Sequence, residues 1–267
     1  MMNVKVEMTE ELVGYADQLM QAEQSRVGSS PITKENPYLS IEEAYRIQLY
    51  NIEQKIKLGQ QITGKKIGLT SLAMQQSLGV DEPDYGHLLD NMIVENQDTI
   101  SFNQVMQPRV EAEIAYVLKE DLSGPNVSTL DVLKATDYIV PALEIVDSRV
   151  KDWKITLSDT VADNASSGLY VLGNERFKVD AFNIKENGMA LYRNGKLLNT
   201  GVGAAAMGDP AYCVAWLANE LSEFGITLKA GEVILSGALS EAISAEKDDY
   251  FEARFANMGS IGVRFTS

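Results

Sequence analysis

Cysteine and histidine are almost absent from this chain, with one of each in 267 residues: Cys213 and His87. A single cysteine closes no internal disulfide, so a reducing compartment is expected. Cys213 lies in an apolar helical pattern with no histidine near it in sequence, which reads as a buried, inert thiol rather than a nucleophile. Positive charge is also scarce, at 23 Lys and Arg against 38 Asp and Glu, a net charge of −15. That balance argues against a nucleic-acid partner, whose binders present basic patches, and gives no help in binding an anionic membrane. No run of 18 apolar residues occurs, so no transmembrane helix is expected. The stretch from Met1 to Met8 lacks a signal-peptide layout, and a cytoplasmic protein is the expectation. Internal repeats and low-complexity tracts are missing too.

What remains is an ordinary globular composition, 45% hydrophobic and 23% charged. The length fits one large domain, or a core with a helical extension, and is enough for a substantial core. Residues 8–25 carry helical apolar spacing at Leu12, Tyr15, Ala16 and Leu19, with Thr9 as N-cap and Glu10 and Glu11 in the first turn. A polar loop with Gly28-Ser29-Ser30-Pro31 follows. Residues 40–58 form a second helix, capped by Ser40 with Glu43 three residues on and ended by Gly59. After Gly64 short β-like runs recur at 66–69, 114–118, 139–146, 168–172 and 189–193. Asn194-Gly195 marks a hairpin. A helix over 210–223, with Asp209 as cap and Pro210 first, interrupts the strands, and runs at 232–235, 250–255 and 261–265 complete them. The sum is an α+β chain: an N-terminal helical region over 1–62, then a β-rich, mostly antiparallel core over 63–267.

Carboxylates break two of the apolar runs. Glu111 and Glu113 stand one residue apart in Arg109-Val110-Glu111-Ala112-Glu113-Ile114, and in a strand both point to one face. Glu144 interrupts the stretch from Tyr138 to Val146. Such a pair on the wet face of an antiparallel strand is the plain alternative. Three carboxylates on apolar strands instead need something positive between them, and a hard divalent cation such as Mg²⁺ or Mn²⁺, held by oxygen, meets that need. Other segments are less telling on their residues alone. Lys66 at the start of an apolar strand reads as a solvated edge residue, Pro83-Asp84-Tyr85-Gly86 as turn chemistry, and Asp159 to Gly168 as a polar loop before a strand.

In chain order these segments are Gly64-Lys65-Lys66-Ile67-Gly68-Leu69-Thr70-Ser71, Gly79-Val80 with Pro83-Asp84-Tyr85-Gly86, Gln107 to Ala115, Pro141 to Arg149, and Thr160 to Ser166. As a set, with Gly201 to Ala206 and Ala230 to Gly237, they resemble the 2-keto-4-pentenoate (2-hydroxypenta-2,4-dienoate) hydratases of the fumarylacetoacetate hydrolase superfamily. The resemblance runs from about residue 8 to the C-terminus. It implies a mixed β-roll or β-sandwich core of the fumarylacetoacetate hydrolase C-terminal type, assembled into homo-oligomers. It places the family's metal-binding glutamates on Glu111, Glu113 and Glu144, its active-site lysine on Lys66 and an acidic partner on Asp84. Backbone at Leu69 and around Gly237-Ala238 is implied as a site for the substrate carboxylate.

The activity so implied is metal-dependent hydration of 2-hydroxypenta-2,4-dienoate to 4-hydroxy-2-oxopentanoate in aromatic meta-cleavage catabolism. Lys66 is expected to carry a pKa lowered by burial and by the metal. His87 is expected at the surface or behind the site, and the lack of another histidine disfavours a carbon–carbon hydrolase. The alternatives are a 4-oxalocrotonate decarboxylase, a 2-oxohept-4-ene-1,7-dioate hydratase, or a metal-stabilised partner subunit without activity. A complex with a related decarboxylase is also implied. A dicarboxylate substrate requires a distal cation, for which Arg109 and Arg149 are the candidates.

Overall fold

The computed structural model describes residues 8–71, 75, 80 and 82–267. Gly79 of the hydratase-like motif and residues 1–7 of the N-terminal stretch lie outside the described residues.

Helix α1 spans Glu10–Ser25, with the Thr9 hydroxyl accepting a hydrogen bond from the Leu12 N–H at 3.2 Å. A short α2, Ile32–Glu35, follows Pro31 inside the stretch expected as loop. Helix α3, Ile41–Lys57, opens on a complete capping box between Ser40 and Glu43, and Gly59 just beyond its end takes φ 101°. The strands then follow: β1 Ile62–Gly68, β2 Asp84–Leu89, β3 Ile93–Val94, β4 Thr99–Ser101 and β5 Arg109–Leu118. Helix α4, Thr129–Ala135, leads into β6, Thr136–Val146. Helix α5, Leu157–Ala162, precedes β7, Ser167–Leu172, and the hairpin β8, Gly188–Arg193, with β9, Lys196–Val202, comes next. Asn194 and Gly195 both have positive φ, as a two-residue hairpin turn requires. Helix α6, Pro210–Glu223, precedes β10 Val233–Leu235, β11 Ile243–Ser244, β12 Tyr250–Phe255 and β13 Gly259–Thr266.

The strands form two sheets. The larger runs β2-β1-β10-β5-β6-β7-β3, with β11 also on β5, and the smaller runs β4-β13-β12-β8-β9. The pairs β1–β10, β3–β7 and β4–β13 are parallel and the other eight are antiparallel, so the core is mostly antiparallel, as expected, with parallel pairing in each sheet. This is the α+β architecture expected from the sequence. The two faces of the large sheet are both apolar but differ in use. Val110, Ala112, Ile114, Leu143 and Ile145 join the main core with Phe251, Val263 and Phe265 of the small sheet. Ala115, Val117, Val140, Ala142, Val233 and Leu235 line the other face, inside the curl of the sheet.

Two stretches depart from their sequence-based expectation. Pro83-Asp84-Tyr85-Gly86 is the entry into β2 rather than a turn. The loop expected over Asp159 to Gly168 is α5, which begins with a capping box between Thr156 and Asp159, followed by three residues in left-handed conformation, Asn164, Ala165 and Ser166. Both differences arise from tertiary partners, since the left-handed run aims side chains at β2.

Candidate metal and active site

Strands β5 and β6 pair in a register that sets Glu111 directly opposite Glu144. Like charges in that position destabilise a sheet, so the pairing calls for a compensating cation. Asp147, just past β6, fixes the register from outside: its carboxylate accepts the N–H groups of Met106 and Gln107 as the chain enters β5. Glu113, two residues on from Glu111, shares its face, and one carboxylate oxygen from each of the three glutamates lies within 4.8 Å of the others. Glu113 and Glu144 are buried and Glu111 is half-buried.

Few protein groups satisfy these oxygens. Gly237 N–H donates to Glu113 Oε2 at 2.7 Å, while Glu113 Oε1 and both oxygens of Glu144 are buried without a hydrogen-bond partner among the described residues. Burial, then Glu144, pushes the Glu111 carboxyl up to about 7. Burial likewise pushes Glu113 well above the usual range and raises Glu144, against the opposing pull of Lys66. Three acids made reluctant to ionise by one another, with orphaned oxygens converging, form the donor set of an oxygen-liking divalent cation. The residues fit such an ion.

Lys66 and Asp84 reach the same face from β1 and β2. Three strand spacings separate β1 from β6, about 14 Å across a flat sheet. The curl closes that distance, and Lys66 Nζ lies 3.4 Å from Glu144 Oε1, an ion pair without hydrogen-bond geometry. Lys66 is 3% exposed, which overturns the solvated-edge reading. Burial pulls its pKa down, but Glu144, Asp84, Glu111 and Glu113 by themselves outweigh burial and raise it; the lowering expected from the sequence belongs to the metal-loaded site. Asp84 is 2% exposed, its pKa is raised by burial against the pull of Lys66, and its Oδ1 is another buried orphan. Gly68 makes room for it. A Cβ built there would stand 2.1 Å from Asp84 Oδ1 and 3.2 Å from Lys66 Nζ.

The remaining expectations fall out differently. Leu69 follows β1 in a left-handed conformation (φ 56°), and its carbonyl accepts from Gln75 Nε2 at 2.8 Å. The Gly237 N–H, expected to receive a substrate carboxylate, is committed to Glu113 instead, and Ala238 beside it is half-buried. A Cβ on Gly237 would collide with Thr70, so glycine is required there. His87 is fully buried on the face of β2 opposite Asp84, paired through Nδ1 with Gln48 Oε1 at 3.1 Å. Burial, then Lys65, pushes its pKa down to about 3. It is a neutral interior group, not a surface one. Arg149 is closed off as well: its guanidinium donates to Asp163 and to the carbonyls of Asp147 and Ser167.

Two residues matter that sequence reasoning leaves inside general motifs. Strand β2 is the edge of its sheet, and the Asn164 side chain takes the place of a neighbouring strand. Its Oδ1 accepts the His87 N–H at 2.8 Å and its Nδ2 donates to the His87 carbonyl at 2.9 Å. Gln48 of α3 donates to the carbonyls of Tyr85 and Val161. The helices and the left-handed run thus hold β2, and with it Asp84. The asparagine in Asp163-Asn164-Ala165 is the available signal, since Asn tolerates left-handed backbone.

Fold and site together define a curled-sheet protein with an acidic, divalent-metal-type centre. The family model described as fumarylacetoacetate (FAA) hydrolase C-terminal matches residues 66–266, and the chain belongs to that family. Among its relatives, the 2-keto-4-pentenoate hydratase of Paraburkholderia xenovorans (strain LB400) is 46% identical over 252 residues, covering 94% of each chain. The 2-hydroxyhexa-2,4-dienoate hydratase of Comamonas testosteroni is 44% identical over 89% of this chain and 90% of that one. The 4-oxalocrotonate decarboxylase from Pseudomonas putida G7, solved with magnesium and adipate, superposes with a TM-score of 0.94 at 32% identity, covering 97% of this chain and 99% of that one. No helix among the described residues is long and apolar enough to cross a membrane.

Proposed function

We propose that this chain is a divalent-metal-dependent hydratase that adds water to 2-hydroxypenta-2,4-dienoate and yields 4-hydroxy-2-oxopentanoate. The observation that carries the reading is the Glu111–Glu144 cross-strand pair, joined by Glu113 and faced by Lys66, in a chain 46% identical to a hydratase of this substrate class. Glu111, Glu113 and Glu144 would hold Mg²⁺ or Mn²⁺, which when bound supplies Lewis acidity toward the carboxylate and 2-oxygen of the substrate. The chain's own groups do the rest. The Lys66 ammonium, set 3.4 Å from Glu144, stabilises charge on the 2-oxygen as the enol loses its proton. Asp84 carries protons: its raised pKa makes the neutral acid accessible, as delivery of a proton to C5 requires. The resulting 2-oxo-3-enoate accepts water, with oxygen joining C4 and a proton joining C3. The backbone at Leu69 and Gly237-Ala238 borders the reacting chain of the substrate.

In this reading the core over 63–267 carries the chemistry, and α3 of the N-terminal helical region supports β2 through Gln48. Homo-oligomeric assembly, and association with a related decarboxylase, belong to the proposal on the strength of the family resemblance.

The 0.94 superposition on a decarboxylase favours one second reading, loss of CO₂ from 4-oxalocrotonate at the same site. Offering both substrates to the metal-loaded protein separates the two. Formation of 4-hydroxy-2-oxopentanoate from the dienoate, without gas from 4-oxalocrotonate, supports hydration. CO₂ release with no hydrated product overturns it.

A further inference from the structure

Arg109 opens β5 two residues before Glu111, so the two side chains share a face about 7 Å apart along the strand. Its guanidinium is fixed before any ligand arrives. It lies 4.3 Å over the Trp153 ring, whose Nε1–H is anchored to the Gln107 carbonyl at 2.9 Å. Asp152 and Trp153 both hold left-handed backbone to present that ring. Yet the arginine is unsatisfied. Its Nε is buried without a hydrogen-bond partner, and no carboxylate lies within 4.0 Å of it among the described residues. Other arginines with one buried face behave differently: Arg149 is closed by Asp163, and Arg193 pairs with Asp249. A half-desolvated, oriented and unpaired guanidinium beside a metal-type centre is a socket for an anion.

Charge arithmetic points the same way. With Asp84 as the neutral acid, the three glutamates carry −3, and a divalent cation and Lys66 carry +3, so the site without Arg109 has no net charge to attract a carboxylate. Arg109 brings the sum to +1, the complement of one carboxylate.

We infer that Arg109 binds the C1 carboxylate of the short 2-oxo or 2-hydroxy-dienoic acid substrate, with Trp153 holding the guanidinium in place. The inference rests on the proposed hydratase reading and deepens it. It moves the carboxylate away from the backbone of Leu69 and Ala238, which then face the C3–C5 chain.

The test is equilibrium binding, followed by calorimetry and by Trp153 fluorescence in a Trp216→Phe background. Mg²⁺-loaded wild type, Arg109→Gln and Arg109→Lys are titrated with pyruvate, which has one carboxylate, and with 2-oxoadipate, which has two. Mg²⁺ affinity is measured in parallel. Arg109→Gln is expected to weaken pyruvate about 10- to 100-fold, as loss of a charge-assisted contact does, with Arg109→Lys intermediate and Mg²⁺ affinity retained. The hydration assay should then show a raised KM with kcat changed less. Equal pyruvate binding by wild type and Arg109→Gln overturns the inference, as does weakening confined to 2-oxoadipate. Failure of the wild type to bind any 2-oxo acid would instead count against the hydratase reading itself.

Discussion

Gly68→Ala perturbs the placement of Asp84 most, and of Lys66 slightly, with a single methyl group. Gly68 ends β1 with ordinary strand backbone, so alanine is conformationally free to occupy it. The cost is contact alone. The new Cβ would stand 2.1 Å from Asp84 Oδ1. Ordinary C···O contacts fall near 3.3 Å, so the carboxylate must withdraw by roughly 1.2 Å. Asp84 is buried, and its strand is clamped by Asn164 and Gln48, so the displacement falls on the carboxyl group. Misplacement of about 1 Å in a reacting constellation costs on the order of 100-fold in rate. Overpacking costs about 1–3 kcal/mol, and the lower chain entropy of alanine returns about 0.5–1 kcal/mol. The variant should therefore stay folded, slightly less stable by denaturant titration, and keep a full complement of metal because the glutamates are untouched. Its kcat on the dienoate should fall about 100-fold. Turnover within twofold of wild type, at equal metal content, would refute the claim that the position of Asp84 matters.

Three further outcomes are expected. Because the folded chain holds Glu111 near 7 and raises Glu113 and Glu144, the metal-free protein is most favoured by these groups when they are protonated. That contribution is present below their ordinary value of about 4.5 and is lost as pH rises through 7, so the gain in stability on adding Mg²⁺ should grow from pH 5 to pH 8, and Mg²⁺ affinity should rise over the same range. Thermal scans with and without metal check this, and a gain that shrinks with pH would contradict it. His87→Asn should leave the shape of the activity–pH profile intact, because His87 is already neutral and faces away from Asp84; a limb lost from that profile would overturn this placement. Arg149→Met should cost about 3–5 kcal/mol in unfolding free energy by stranding the buried Asp163, which a change under 1 kcal/mol would contradict.

Much of the fold and the site is legible in the residues, for identifiable reasons. The caps of α1 and α3 and the Asn194-Gly195 hairpin are local devices, and local sequence specifies them. Period-two spacing alone puts Glu111 and Glu113 on one face of a strand. Strand β2 is hidden because Asp84 and Gly86 are turn formers. Gly86 is there for another reason, since a Cβ would meet the Asn164 carbonyl at 2.3 Å. Lys66 looks like an edge residue because nothing in its own segment shows that β6 curls over it. The pull on its pKa from four carboxylates on three other strands is hidden for the same reason. The Arg109–Trp153 stack joins residues 44 positions apart, beyond any local pattern.

The most direct measurement is a metal add-back on freshly made 2-hydroxypenta-2,4-dienoate. Protein stripped by chelation and dialysed is mixed with the dienol, its absorbance is followed, and Mg²⁺ or Mn²⁺ is then added in steps. The expected result is no hydration before addition, then 4-hydroxy-2-oxopentanoate formation that saturates at one ion per chain and is absent in Glu113→Gln at the same metal concentrations. Stripped protein that forms the hydrated product at the full rate, or Glu113→Gln that matches wild type, would contradict a metal-dependent hydratase built on Glu111, Glu113 and Glu144.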